Sequence, residues 1–287
     1  MNMTKTDAVR STPWPRSFSR ALHSEWLRLR RSPLIFLHAA LACALGAAAG
    51  LYFATTPWNS LLGYDAFVQL VGAGAPLLAG LSCGLSLDAE REAGDGVNLL
   101  GHPSRRCALA AKGVVLLALG ALACLCAIGL FAGVLAVGNR ALPSFGAAGA
   151  SFAGIVAGSA ALYALFIAVA LAWGRNASIG LGAIGLMCAL ASLGGLGNGL
   201  VTGTLSAASS PPLLAAVPFV WPARFASLAT EGFIARTGAV PGAADALAAL
   251  SANGAFSIAA CLAASIAIVA LLLACANRFE DARRSKE

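Results

Sequence analysis

Gly113-Val-Val-Leu-Leu-Ala-Leu-Gly-Ala-Leu-Ala-Cys-Leu-Cys-Ala-Ile-Gly-Leu-Phe-Ala-Gly-Val-Leu-Ala-Val-Gly138 contains no charged side chain. A helix rises 1.5 Å per residue, so about 20 apolar residues cover the roughly 30 Å hydrocarbon layer of a bilayer. Comparable charge-free runs occupy residues 34–53, 66–87, 146–173, 177–200 and 255–276. Inside lipid every backbone N–H and C=O must be satisfied within its own segment, so such runs are helices and not strands. The expected fold is therefore an all-α integral membrane protein with six transmembrane helices. The run at 177–200 is the weakest, because Gly180, Gly182, Gly185, Gly194, Gly195, Gly197 and Gly199 loosen it.

Composition agrees. Hydrophobic residues make up 59% of the 287 residues and charged residues 11%, whereas a soluble domain carries about 25% charged residues. Little chain remains for a separate soluble domain. The net charge of +7 follows membrane topology: 16 of the 19 lysines and arginines lie before the first run, between the second and third, between the fourth and fifth, or after the sixth. The exceptions are Arg140, Arg224 and Arg236. By the positive-inside rule both termini are expected in the cytoplasm. A nucleic-acid partner would call for a basic stripe with stacking aromatics, and none is visible. The basic lead before the first run is too long for a cleaved signal peptide, so that run is expected to persist as a helix. The eight cysteines form no paired extracellular set, and small buried hydrophobes describe them better than a disulfide framework.

Residues 1–18 read as a disordered basic tail and 19–32 as an amphipathic interfacial helix. In the latter Leu22, Trp26 and Leu29 recur at helical spacing, with Arg28, Arg30 and Arg31 on anionic lipid. Residues 33–277 form the membrane domain and 278–287 a cytoplasmic tail. Tyr52, Phe53, Trp58 and Tyr64 read as an aromatic belt at the outer interface. The outer connection 201–254 is broken at Pro211, Pro212, Pro218 and Pro222. Within it, 213–235 reads as a broken hairpin or interfacial helix dipping into the outer leaflet as a cap. A seventh, poorly formed span is the other reading, and it would put the C-terminal basic cluster outside.

Catalytic patterns fail. No phosphate-binding loop G-x-x-x-x-G-K-[ST] occurs. Gly180-Leu-Gly-Ala-Ile-Gly185 matches G-x-G-x-x-G only inside an apolar run, where small-residue helix packing explains it. His23, His38 and His102 are scattered, and no intramembrane carboxylate pair appears. At depth only Gln69, Asn198 and hydroxyls stand out, which argues against ion-coupled transport.

The cytoplasmic loop 88–112 is different. Acidic and basic residues alternate there around Leu99-Leu100, so a docking element fits better than a solvated linker. In it Glu92-x-Gly94, Leu99-Leu100, Pro103, Arg106 and Lys112 resemble the pattern E-x-G-T-x-x-x-L-L-x-x-P-x-x-R…K of type-2 ABC exporter permeases. Ser24-Glu25-Trp-Leu-Arg28-Leu-Arg30-Arg31-Ser32 is similar to that family's E-x-x-K-x-K-R-S entry into the first span. Val217-Pro218-Phe-Val-Trp221-Pro222-Ala-Arg224 resembles the I-P-W-x-x-P-x-R segment of lantibiotic-immunity permeases. The resemblance covers roughly residues 20–280; Asp95 stands where threonine is usual, and Arg28 and Arg30 where lysines are common.

That resemblance implies a non-enzymatic permease subunit of a bacterial inner-membrane exporter. Its partners would be a separate ABC ATP-binding subunit, a second permease subunit, membrane lipid and an amphipathic peptide substrate. It also implies no cofactor on this chain, with ATP and Mg on the ATPase. Glu90, Arg91 and Glu92 would make polar contacts to the ATPase and Leu99 and Leu100 apolar ones, while Gly94 and Pro103 shape the backbone. Lys112 would sit at the cytoplasmic mouth of the third span, or snorkel to headgroups. Pro218, Trp221, Pro222 and Arg224 would belong to the outer cap. An exporter of a small drug or lipid, an ion-coupled carrier and a non-transporting membrane partner are the competing readings.

Overall fold

The computed structural model describes residues 14–93, 105–193, 196–206, 212–238, 240 and 242–284. Of these, 89% are helical, and no strand occurs among them. The order is α1 (Trp14–Leu29), α2 (Leu34–Thr55), α3 (Ser60–Glu92), α4 (Arg105–Val137), α5 (Phe145–Trp173), α6 (Arg175–Ser192) and α7 (Leu196–Thr202). Two 3-10 turns, Pro212–Ala216 and Pro218–Val220, lead into α8 (Trp221–Arg236) and then α9 (Ala243–Arg284). Five helices are long and apolar enough to cross a membrane: α2, α3, α4, α5 and α9 as far as Leu273. The protein is all-α and has the architecture of a multi-pass membrane protein.

Three boundaries differ from the sequence reading. The run 177–200 is not one helix: α6 has 18 residues and gives way at Leu193, where the sequence continues Gly-Gly. Glycine has low helix propensity, and the helix stops where two of them follow. α9 opens at Ala243, well ahead of residue 255, so the preceding connection is shorter than 201–254. α1 opens at Trp14, with Pro15 in the first turn, where a missing N–H costs no helical bond. Residues 1–13 lie outside the described part.

Lipid tails are as apolar as leucine, so close packing of small residues decides which helices pair. α3 packs on α6 through Gly80, where an added Cβ would lie 2.7 Å from the Ser178 carbonyl oxygen. Ser178 Oγ donates to the Gly80 carbonyl at 2.9 Å, a bond that this close approach permits. Gly182 and Gly185 face Pro76 across the same seam, while Gly180 meets nothing. α2 packs on α4 through Gly46, where a Cβ would lie 2.6 Å from the Ala127 carbonyl oxygen.

α8 is seated deep between α3 and α5. An added Cβ would lie 2.5 Å from Ala223 Cα at Gly72, and 2.8 Å from Pro222 N at Gly158. From that level α8 climbs outward until Thr230 meets Asp65 on α3. Pro218, Trp221, Pro222 and Arg224, expected in an outer cap dipping into the membrane, lie in a wedge packed between α3 and α5. Trp221 is fully buried against Ala161 and Ile268. The expected aromatic belt also divides. Phe53 and Tyr64 turn inward, edge-on to Phe131 at 6.0 and 5.9 Å, because α4 offers an aromatic partner there. Tyr52 and Trp58 stay outside and share a 3.1 Å hydrogen bond.

Gly72→Ala and Gly74→Ala, two residues apart on α3, should behave differently. The first forces a methyl into the α8 backbone and should cost about 1–3 kcal/mol. The second meets open space and should be neutral. Thermal unfolding in detergent, followed by tryptophan fluorescence, reads both; equal effects would refute the glycine seam.

Candidate functional site

The C-terminal ends of α1 and α3 and the first turns of α4 meet in one ion-pair cluster, buried except for Arg28. α1 turns Ala21, Glu25 and Leu29 toward the bundle, one residue per helical turn. The stripe Leu22, Trp26 and Leu29, expected on the membrane interface, shares only Leu29 with this bundle-facing side. Leu29 is buried and Leu22 half-buried, but Trp26 is 46% exposed, because the inward face is set by a carboxylate that has a partner. That partner is Lys112, only 2% exposed.

Lys112 Nζ lies 2.8 Å from Glu25 Oε2 and 2.6 Å from Glu90 Oε1. It also donates to Ser86 Oγ at 3.1 Å, which uses all three protons of the ammonium. Arg28 Nη1 closes the ring, 3.0 Å from Glu25 Oε1 and 3.1 Å from Glu90 Oε1. Two cations and two anions cancel, so the ring is neutral as a unit. Burying it carries a desolvation penalty, but removing one member leaves an uncompensated charge and costs far more. Lys112 therefore does not snorkel to headgroups; it is held by carboxylates on two other helices.

The end of α3 is also fastened to its other neighbours. Arg91 Nη2 donates to the carbonyls of Ala170 at 3.0 Å and Leu171 at 2.9 Å, which caps α5. Arg175 at the start of α6 pairs with Asp88 at 2.6 Å. A cavity of about 490 Å³ opens beside these groups, lined in part by Glu25, Ser86, Glu92 and Arg175. Of the residues expected to dock a partner, Glu90 and Arg91 are engaged within the chain, whereas Glu92 and Arg106 are exposed. Arg28, Arg30 and Arg31 lie on the exposed side. Gly94, Leu99, Leu100 and Pro103 fall outside the described residues.

A second polar cluster lies toward the opposite end of the bundle, and the sequence reading missed it. Gln69 Nε2 is 2.7 Å from Asp65 Oδ2 and 3.4 Å from Glu231 Oε1, so one amide touches both carboxylates. Ser206 Oγ lies 3.0 Å from Glu231 Oε1 and 2.9 Å from Gln69 Oε1. Thr230 Oγ1 donates to Asp65 Oδ1. All five side chains are buried. Two carboxylates thus meet inside the protein, a pair that the sequence reading did not make. α3 starts at Ser60, which brings Asp65 inside the helix, and the α8 wedge carries Glu231 inward. A usable signal was present: Asp65 and Gln69 are one turn apart on one face. Arg224 is also buried on α8.

No protein-family model and no curated protein matches the chain. The function is accordingly read from geometry and local sequence pattern.

Lys112→Met should destabilise the protein by about 3–5 kcal/mol, as expected when one partner of a buried pair is removed. Adding Glu25→Gln and Glu90→Gln to it should restore part of that loss. A triple variant less stable than the single one, in the same thermal assay, would refute the charge-balance account.

Proposed function

We propose that this chain is the membrane-spanning permease subunit of an ATP-driven exporter, powered by a separate ATP-binding subunit. The observation that carries the reading is the ring of Glu25, Arg28, Glu90 and Lys112. It fastens the interfacial helix to both ends of the loop 88–112, so a push on that loop reaches α1, α3 and α4 together. A loop anchored in this way suits force received from a partner. The resemblance to type-2 ABC exporter permeases falls on the same residues.

In this reading the basic face is cytoplasmic, α6 with α7 supplies the fifth of six crossings, and both termini are inside. Such a chain belongs in the bacterial cytoplasmic membrane, with a second permease subunit beside it. ATP and Mg act on the partner. Glu90 and Arg91 serve as internal anchors, while Glu92, Leu99, Leu100 and Arg106 provide the docking surface, shaped by Gly94 and Pro103. The cargo is an amphipathic antimicrobial peptide of lantibiotic type, expelled for self-protection. The segment 217–224, similar to that of the immunity permeases, forms the wedge beside α3 and α5. A small drug or lipid would satisfy the same apolar bundle.

The Asp65–Glu231 pair favours one other reading, an ion-coupled carrier, because buried acids at depth are the usual means of coupling to protons or sodium.

The test uses the chain purified from native membranes with its partners. The preparation should hydrolyse ATP, and Glu92→Lys with Arg106→Glu should remove both the hydrolysis and cellular peptide resistance while the chain remains folded. Transport that persists without nucleotide, collapses with the proton gradient and is lost in Asp65→Asn would replace the exporter by the carrier.

A further inference from the structure

α2 and α3 are joined by a short turn, yet glycine seams draw them apart. Gly46 and Gly50 bring α2 onto α4, with an added Cβ at Gly50 only 2.9 Å from Val134 Cβ. Gly72 and Gly80 bring α3 onto α8 and α6. A slot of about 220 Å³ is left between α2 and α3, closed at the back by α4 and α5. On α3 it extends from Leu70 to Leu81, which is roughly 16 Å along the helix axis.

Its mouth is open. An added Cβ at Gly74 meets nothing within 4 Å, and Leu41, Leu45 and Leu70 at the rim are 41%, 45% and 45% exposed. These rim residues lie within helices long and apolar enough to span the membrane, so in a bilayer the mouth faces hydrocarbon.

The polar groups in the wall are few: His38, Ser159 and Tyr163 among aliphatic side chains. His38 Nδ1 is 2.8 Å from the Leu34 carbonyl, which can only accept, so that nitrogen carries the proton. In the neutral ring Nε2 is then an acceptor; Ser82 Oγ lies 3.2 Å from it but donates its one proton to the Leu78 carbonyl at 2.6 Å. Ser159 Oγ donates to the Ile155 carbonyl at 2.7 Å. The Tyr163 hydroxyl packs against Gly120, and a cavity lined so largely by aliphatic side chains takes apolar guests: one of about 150 Å³ already admits benzene.

We infer that the slot between α2 and α3 is a binding site for one hydrocarbon chain of a membrane amphiphile, entering sideways from the bilayer. Its elongated shape fits a chain better than a compact ring, and its mostly aliphatic lining favours an apolar ligand. The site does not depend on the exporter reading, since it follows from the walls alone.

The test reconstitutes the full chain in nanodiscs with a phospholipid whose acyl chain carries a photoactivatable diazirine near its middle. After irradiation, adducts should concentrate on peptides holding Leu41, Leu45, Leu70 and Leu78. Gly74→Phe should abolish that labelling and leave the melting temperature unchanged; if it unfolds, Gly74→Leu replaces it as the smaller plug. Gly129→Phe, at another position where an added Cβ meets open space, should leave the labelling intact. Adducts spread evenly over all the apolar helices and insensitive to Gly74→Phe would reduce the slot to ordinary annular lipid. Protein–protein adducts through the slot would assign it to a second copy of this chain. Either result overturns the inference.

Discussion

Helices surrounded by hydrocarbon gain little by burying one more leucine, so the bundle depends on how closely two backbones can approach. At Gly46, Gly72, Gly80 and Gly158 that approach leaves no room for a methyl group. These positions choose partners: α2 with α4, α3 with α6, and α8 with both α3 and α5. Side-chain volume elsewhere then fills what the seams define. The Phe53, Tyr64, Phe67 and Phe131 cluster is one such filling, with Phe67 stacked on Phe131 at 4.1 Å.

The seams also fix where charge can be tolerated. α1 is not held by apolar contact alone; its Glu25 enters the bundle only because α4 presents Lys112 at the same level. The four-member ring differs from a surface salt bridge, whose worth is small and screened by salt. Here the ammonium is sequestered and all its protons are used. The three helices are therefore linked by a contact that is costly to open part-way. Such a contact favours movement of the parts as one body over gradual separation.

Much of this was readable from the chain. Long charge-free runs of apolar residues announce the five long helices, and Pro211, Pro212, Pro218 and Pro222 mark a broken element before the last one. The remainder was hidden for definite reasons. A carboxylate at the margin of an apolar run, such as Asp65, looks solvated until its partner is known, and that partner sits on α8. The pairing of Lys112 is hidden because Glu25 is 87 residues away in sequence. Hydropathy picks out Leu22, Trp26 and Leu29 on α1 but cannot register that a charge-paired glutamate, Glu25, is the residue facing the bundle. The depth of α8 was obscured because its cradle is made of glycines, which carry no hydrophobic signal.

α3 carries both polar clusters, Glu90 near one end and Asp65 near the other, roughly 37 Å apart at 1.5 Å per residue. Between them Pro76 interrupts the helical hydrogen-bond ladder. The helix therefore behaves as a two-armed lever with a joint, gripped on one arm by α1 and α4 and on the other by the wedge helix. Tilting the first arm must either swing the second or bend the rod at Pro76, so the stiffness of that one joint sets how far movement at one end reaches the other.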